Sequence, residues 1–355
     1  MRRPTLLLAA TALLALSACS SGSDDDPDAA GPTTSSSPSS SAATPSQTAP
    51  AAAPSGCEGT SVVDVATADE LQRALDEAAP GQVIRLADGR YEGNFVATAK
   101  GTPDFPIVLC GGRGAVLDGG EIDGDYTLHL SGAAHWRVSG LTVTGGQKGV
   151  MVDAGVGNLI EGLLVTSMGD EAIHLRTNST DNAVVGNTIR DTGLRKPKFG
   201  EGIYVGSAAS NWCQVSDCEP DRSDRNLIEG NTVSGTTAEP VDIKEGTTGG
   251  TLRGNTFDGA AMVESDSWVD VKGNGWTIEG NTGANTSADG FQVHEVVDGW
   301  GQENVFTGNT ASVEGDGYGI NVAGPRTIRE NNVVGCDNEA DGAGSGLSNV
   351  ECGSR

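Results

Sequence analysis

The chain has 355 residues and a formal charge of −26, with 52 glycines and only 4% aromatic residues. That charge excludes nucleic acid as a partner, because binding a polyanion requires a basic face. After residue 110, Gly, Asn, Thr, Val and Asp dominate, which excludes a helical fold in favour of short strands between tight turns. An anionic polysaccharide is compatible only with a metal or a local basic patch, since salt confines each charge to about 8 Å.

Residues 1–19 read as an export signal: Arg2 and Arg3, an apolar run from Leu6 to Leu16, then Leu16-Ser17-Ala18-Cys19. The run is shorter than the ~20 residues needed to span a bilayer. Its ending resembles the lipobox of bacterial lipoproteins, which implies lipidation at Cys19 and attachment to the outer face of the cell membrane through that lipid alone. An ordinary secretory signal is the alternative. Residues 20–56 are Ser, Thr, Ala, Pro and Asp with few large apolar side chains, and read as a disordered tether. Residues 57–355 are expected to form a single domain, and a monomer.

Of seven cysteines, Cys19 is assigned to lipid, leaving an even set suited to an exported protein. Six cysteines allow many connectivities; neighbours in sequence favour Cys57–Cys110, Cys213–Cys218 and Cys336–Cys352. No metal-binding Cys/His spacing occurs.

A helix is expected over residues 67–79. Thr67 with Glu70 makes a capping box, Leu71, Ala74, Leu75 and Ala78 form one apolar stripe, and Pro80-Gly81 stops it. A stack of repeats must cover the open edge of its first coil, and this helix is the expected cap.

Short strands follow from Val83. Seven of them share one pattern: "GVMVD" from Gly149, "AIHLR" from Ala172, "GIYVG" from Gly202, "PVDIK" from Pro240, "WVDVK" from Trp268, "GFQVH" from Gly290 and "GINVA" from Gly319. Side chains alternate along a strand, so the apolar second and fourth residues point inward and the third and fifth outward. One outward column then reads Met151, His174, Tyr204, Asp242, Asp270, Gln292, Asn321. The other reads Asp153, Arg176, Gly206, Lys244, Lys272, His294, Ala323. An interleaved repeat places Asn187, Asn231, Asn255, Asn281, Asn309 and Asn331 at turns, where stacked Asn side chains bond to backbone and to one another. Parallel strands with right-handed crossovers make this an all-β, right-handed parallel β-helix. Long inserts at 190–201 and 207–226 are placed to wall a groove beside the charged columns.

Coils stack about 4.8 Å apart. Lys244 and Lys272 are therefore expected to be neighbours, flanked by Arg176 and His294, and the crowding should depress at least one lysine pKa and produce a base. The alternative is an ion-pair ladder with Asp242 and Asp270. Carboxylates also begin the strands, at Asp170, Glu171, Glu201, Glu239, Asp266 and Asp289. Such stacked acids call for a cation, and oxygen-only ligands suit Ca²⁺, with Glu201, Glu239, Asp242 and Asp270 as the candidate set. A solvated acidic face is the alternative.

Residues 67–95, "TADELQRALDEAAPGQVIRLADGRYEGNF", with "GTPDFPIVLCGG" and "AVLDGG", resemble the start of the chondroitinase B and alginate lyase family of β-helical polysaccharide lyases. "GEGIYVGS" from Gly200 is similar to that family's Glu-bearing strand. "EPVDIKEGTTGGTLRGNTF" from Glu239 is similar to the stretch where a calcium-binding Glu precedes the catalytic Lys by five residues, as Glu239 precedes Lys244. Two departures stand out. The family's catalytic Arg followed by His and Gly is replaced by Lys272-Gly273-Asn274, and its calcium-binding Asn falls near Lys198. Pectate lyases of other β-helical families look similar at a lower level.

The resemblance implies β-elimination from a uronate polymer. Lys244 would be the base, Ca²⁺ on Glu201 and Glu239 would neutralise the substrate carboxylate with help from Lys272 or Arg176, and Tyr204, Lys272 or His294 would assist the leaving oxygen. An epimerase uses the same constellation. A glycoside hydrolase would need paired carboxyls, for which Asp242 and Asp270 are the candidates, and a non-catalytic glycan-binding or structural surface β-helix is the further alternative.

Overall fold

The computed structural model describes residues 56–286 and 288–353. The expected signal with Cys19, and the tether up to residue 55, lie outside the described residues. Helix α1 spans Ala68–Asp76 with Thr67 as N-cap and the capping box formed, and its C-cap is Glu77. It therefore ends three residues short of the expected 79. Leu71, Ala74 and Leu75 are buried. The Gln72 side chain both donates to Val96 O and accepts from Val96 N, each at 3.0 Å. Those two bonds occupy backbone groups of the outermost strand, so α1 is the expected cap.

Among the described residues, three sheets of 11, 10 and 10 strands run side by side along the solenoid. One coil contributes a strand to each, and successive coils pair in parallel as a right-handed solenoid. The seven patterned strands all fall in one sheet, in the expected register: Met151, His174, Tyr204, Asp242, Asp270, Gln292 and Asn321 are successive partners. Inside, Val241 pairs with Val269 and Val269 with Phe291. The Phe291 ring meets Trp268, Phe306 and Phe257 at 5.8, 6.4 and 6.5 Å, mostly edge-on.

The outward column is less exposed than its direction suggests. Met151 is 0% accessible, Asp242 1% and Gln292 2%. Neighbours one coil away cover each side chain above and below, and the inserts cover part of the strip.

The Asn ladder runs through Asn187, Asn231, Asn255, Asn281 and Asn309, and each side-chain oxygen from Asn231 onward accepts the backbone N–H of the Asn before it. Its last member is Asn338, not Asn331. A short helix at Arg326–Asn331 interrupts the repeat there and shifts the register. A second ladder at another corner joins Asn158, Asn182 and Asn226, and Asn304 with Asn332. All three expected disulfides form: Cys57–Cys110, Cys213–Cys218 and Cys336–Cys352. Among the described residues no helix is long and apolar enough to cross a membrane.

Candidate active site

A cleft of about 600 Å³ lies over the strands Lys148–Asp153, Ile173–Arg176 and Ile203–Val205, and reaches Lys244. Both inserts wall it, as expected. The first, residues 191–200, is pinched at its base, where a Cβ on Gly193 or Gly200 would lie 1.8 or 2.0 Å from Thr237 Oγ1. Thr237 Oγ1 in turn donates to Pro197 O at 2.7 Å, and the loop carries Arg195, Lys198 and Phe199 to the cleft.

The second insert is held by a buried carboxylate that no motif or spacing marks. Asp221 accepts from Thr177 N, Asn178 N, Ser207 Oγ and Ser223 Oγ at 2.7 to 3.0 Å. Glu245 Oε1 accepts from Ala209 N at 2.6 Å, tying the same loop to the strip.

On the strip, Asp242 sits between the two lysines. Its oxygens lie 2.5 Å from Lys244 Nζ and 2.8 Å from Lys272 Nζ. Lys272 Nζ also lies 2.7 Å from Asp270, whose other oxygen is 2.8 Å from His294 Nδ1. This corrects the expectation of a depressed lysine. Burial works against both ammonium charges, but Asp242, joined at Lys272 by Asp270, overrides it, and both pKa values are raised.

Lys244 Nζ stands 5.0 Å from the centre of the Tyr204 ring. Burial, with Asp242 behind it, pushes the Tyr204 phenol well above its ordinary pKa, so it stays protonated. The His174 ring packs on Tyr204 with centroids 4.4 Å apart, and its Nε2 is 2.9 Å from Gly206 O. Burial lowers the His174 pKa, so the ring is neutral and Nε2 is the donor in that bond.

Glu171, Glu201 and Glu239 follow one another on successive coils, as their backbone bonds show. Glu201, Glu239 and Asp242 bring carboxylate oxygens within 4.8 Å of one another. Glu201 Oε2 is buried without a hydrogen-bond partner. Burial, then Glu171 and Asp242, push Glu201 well above its ordinary pKa; burial and Asp242 take Glu239 up to about 7. Oxygen-only donors at this spacing, with Glu201 Oε2 unpartnered, fit Ca²⁺. Asp270 stands outside this group of three; its oxygens pair with Lys272 and His294. Asp266 is one residue off the acid column, since Ser267 precedes Trp268 where Glu239 precedes Pro240.

Residues 107–222 and 221–352 match the right-handed β-helix region family. An alginate lyase from Paenibacillus sp. str. FPU-7 aligns with a TM-score of 0.76 and 37% identity, over 81% of this chain and 98% of its own. The chain belongs to the right-handed β-helical polysaccharide lyases. A pectate lyase matches the lyase at TM-score 0.63 and 15% identity, over 84% of this chain and 80% of its own. The Streptococcus pneumoniae surface protein and adhesin PfbA matches at 0.54 and 12%, over 80% and 84%. At those identities the likeness is one of fold alone. No curated protein matches the lyase in sequence.

Of the residues singled out from the lyase sequence, Lys244, Tyr204, Arg176 and Glu201 line the cleft, whereas Glu239, Asp242, Lys272, His294 and Asp270 are not part of its lining. Arg176 is at the far end, held by Asp153 at 2.7 Å and by the Tyr126 hydroxyl at 3.3 Å. Lys148, Glu171 and Arg195 also line the cleft, beyond the residues that the strand pattern points to as the site. His174 stood in the right column beside Tyr204, and that adjacency was the available signal.

His294 makes a separate prediction. The hydrogen bond with Asp270 outweighs burial and raises its pKa, with Asp270 and Asp266 adding to the rise and Lys272 opposing it. A raised folded pKa means the stabilisation is complete below the unfolded value of about 6.5 and is lost as pH rises through the folded value. The thermal midpoint of the lyase should therefore exceed that of His294→Asn by more at about pH 6 than at about pH 9. A gap independent of pH would show that the pair does not titrate as described.

Proposed function

We propose that the lyase cleaves alginate, or a closely similar polyuronate, by β-elimination in this cleft, with Lys244 as the base. The observation that carries this reading is that Lys244, Tyr204 and Glu201 line one cleft, with carboxylate oxygens of Glu239 and Asp242 within 4.8 Å of Glu201, in a chain 37% identical to an alginate lyase. The C5 proton of a uronate is very weakly acidic, so positive charge must stand where the carboxylate gains negative charge. Ca²⁺, which Glu201, Glu239 and Asp242 would hold, would supply that charge. Lys244, in its neutral form, takes the C5 proton. Tyr204, protonated at rest, donates to the departing glycosidic oxygen. Asp242 and Asp270 are each committed to lysines, which disfavours the paired-carboxyl chemistry of a hydrolase.

The test is to incubate the full chain with alginate, pectate, glucuronan and a sulfated uronate polymer, with and without chelator, and follow ultraviolet absorbance of the unsaturated sugar end. Turnover on alginate that falls on chelation and returns with Ca²⁺ is expected. Turnover indifferent to chelator would discard the metal, and none on any polymer would discard the reaction.

A further inference from the structure

The cations of the cleft are not equivalent. Lys148 Nζ is held by Glu171 at 2.8 Å, Arg176 Nε by Asp153 at 2.7 Å, Arg195 Nε by Asp170 at 3.0 Å and Lys244 Nζ by Asp242 at 2.5 Å. Each must give up or share an internal partner before it can bind an incoming carboxylate, and releasing a half-buried pair is costly. Among the described residues lining the cleft, Lys198 is the cation without a carboxylate partner. Its Nζ lies 4.6 Å from the centre of the Phe199 ring, which positions the ammonium and leaves its three donors unused.

The backbone beneath it is held in place. Lys198 lies in the single turn Pro197–Phe199, closed by the bond from Gly200 N to Pro197 O at 3.1 Å and braced from Thr237. The Gly193 and Gly200 contacts that pinch the loop leave no room for a side chain to pry it open. In a chain of charge −26, a free ammonium at the cleft mouth is also where an approaching polyanion first meets attraction rather than repulsion.

We infer that Lys198 and the Phe199 ring beneath it form a carboxylate-binding subsite of the cleft, which takes a free, unesterified uronate residue flanking the one that is cleaved. This rests on the reading that the cleft processes a polyuronate. Lys198 is thus a specificity-determining residue: it selects chains charged at the neighbouring sugar and takes no part in proton transfer. An exposed pair contributes at most about 1 kcal/mol, which sets an expected effect of roughly fivefold.

The experiment compares wild type, Lys198→Ala and Lys198→Arg on the polymer the wild type cleaves, at low and high salt. Lys198→Ala should raise KM roughly fivefold with kcat unchanged, Lys198→Arg should restore KM, and the difference should shrink in high salt. An unchanged KM in Lys198→Ala, or a fall in kcat without a rise in KM, overturns the subsite while leaving the lyase reaction standing. If the wild type turns over no polymer, calorimetric binding of an alginate tetrasaccharide to the same three proteins decides. Binding weakened in Lys198→Ala and restored in Lys198→Arg upholds the subsite without the reaction; equal binding, or none, sinks it.

Discussion

Lys244→Ala is expected to lower kcat/KM on the cleaved polymer by about a thousandfold, the scale associated with losing a positioned proton-transfer group. The fold should remain intact, because Asp242 keeps its 2.8 Å pair with Lys272 when Lys244 is truncated. Lys244 itself sits at the edge of the cleft, with 14% of its side chain exposed. Initial rates by ultraviolet absorbance, with circular dichroism to confirm the folded state, measure both halves of the expectation. Activity within tenfold of wild type would remove Lys244 from the chemistry.

Asp242→Asn is expected to act on the fold first. Its carboxylate is 1% exposed and accepts from two ammonium groups on two coils. The amide is nearly the same shape but carries no charge, and leaves Lys244 and Lys272 side by side without the carboxylate that pairs with both. Breaking a buried pair by removing one partner costs about 3–5 kcal/mol. The midpoint of denaturant unfolding should fall accordingly, and chemical rescue of the fold at high pH, where the lysines discharge, would support the cause. A midpoint equal to wild type would mean that the lysines are not held by this carboxylate.

These outcomes separate what alternation along a strand can reveal from what it cannot. Because side chains in a strand alternate strictly, the seven repeats could be stacked on paper, and the partners from Met151 to Asn321 follow in that order. The same logic offered Glu201, Glu239, Asp242 and Asp270 as one acidic set, of which the first three bring their oxygens within 4.8 Å of one another. It failed for the lysine charges. Residue order places Cα atoms one coil apart, but a lysine ends four carbons further on, and the terminal nitrogens of Lys244 and Lys272 both lean onto Asp242.

The sequence by itself determined the solenoid, its capping helix and the strip on which chemistry gathers, because each depends on periodicity, and pairing the cysteines in chain order anticipated the disulfides. Only the tertiary structure decided which part of the strip is a site. Residues 191–200 and 207–226 fold over the earlier coils, bringing Lys148, His174 and Lys198 together and leaving Lys272 and His294 outside the cleft. That choice rests on contacts such as Asp221 with Thr177 and Asn178, more than 40 residues apart, and on the fit of Gly193 and Gly200 against Thr237. Contacts of that kind have no period, so they leave no pattern in the order of residues.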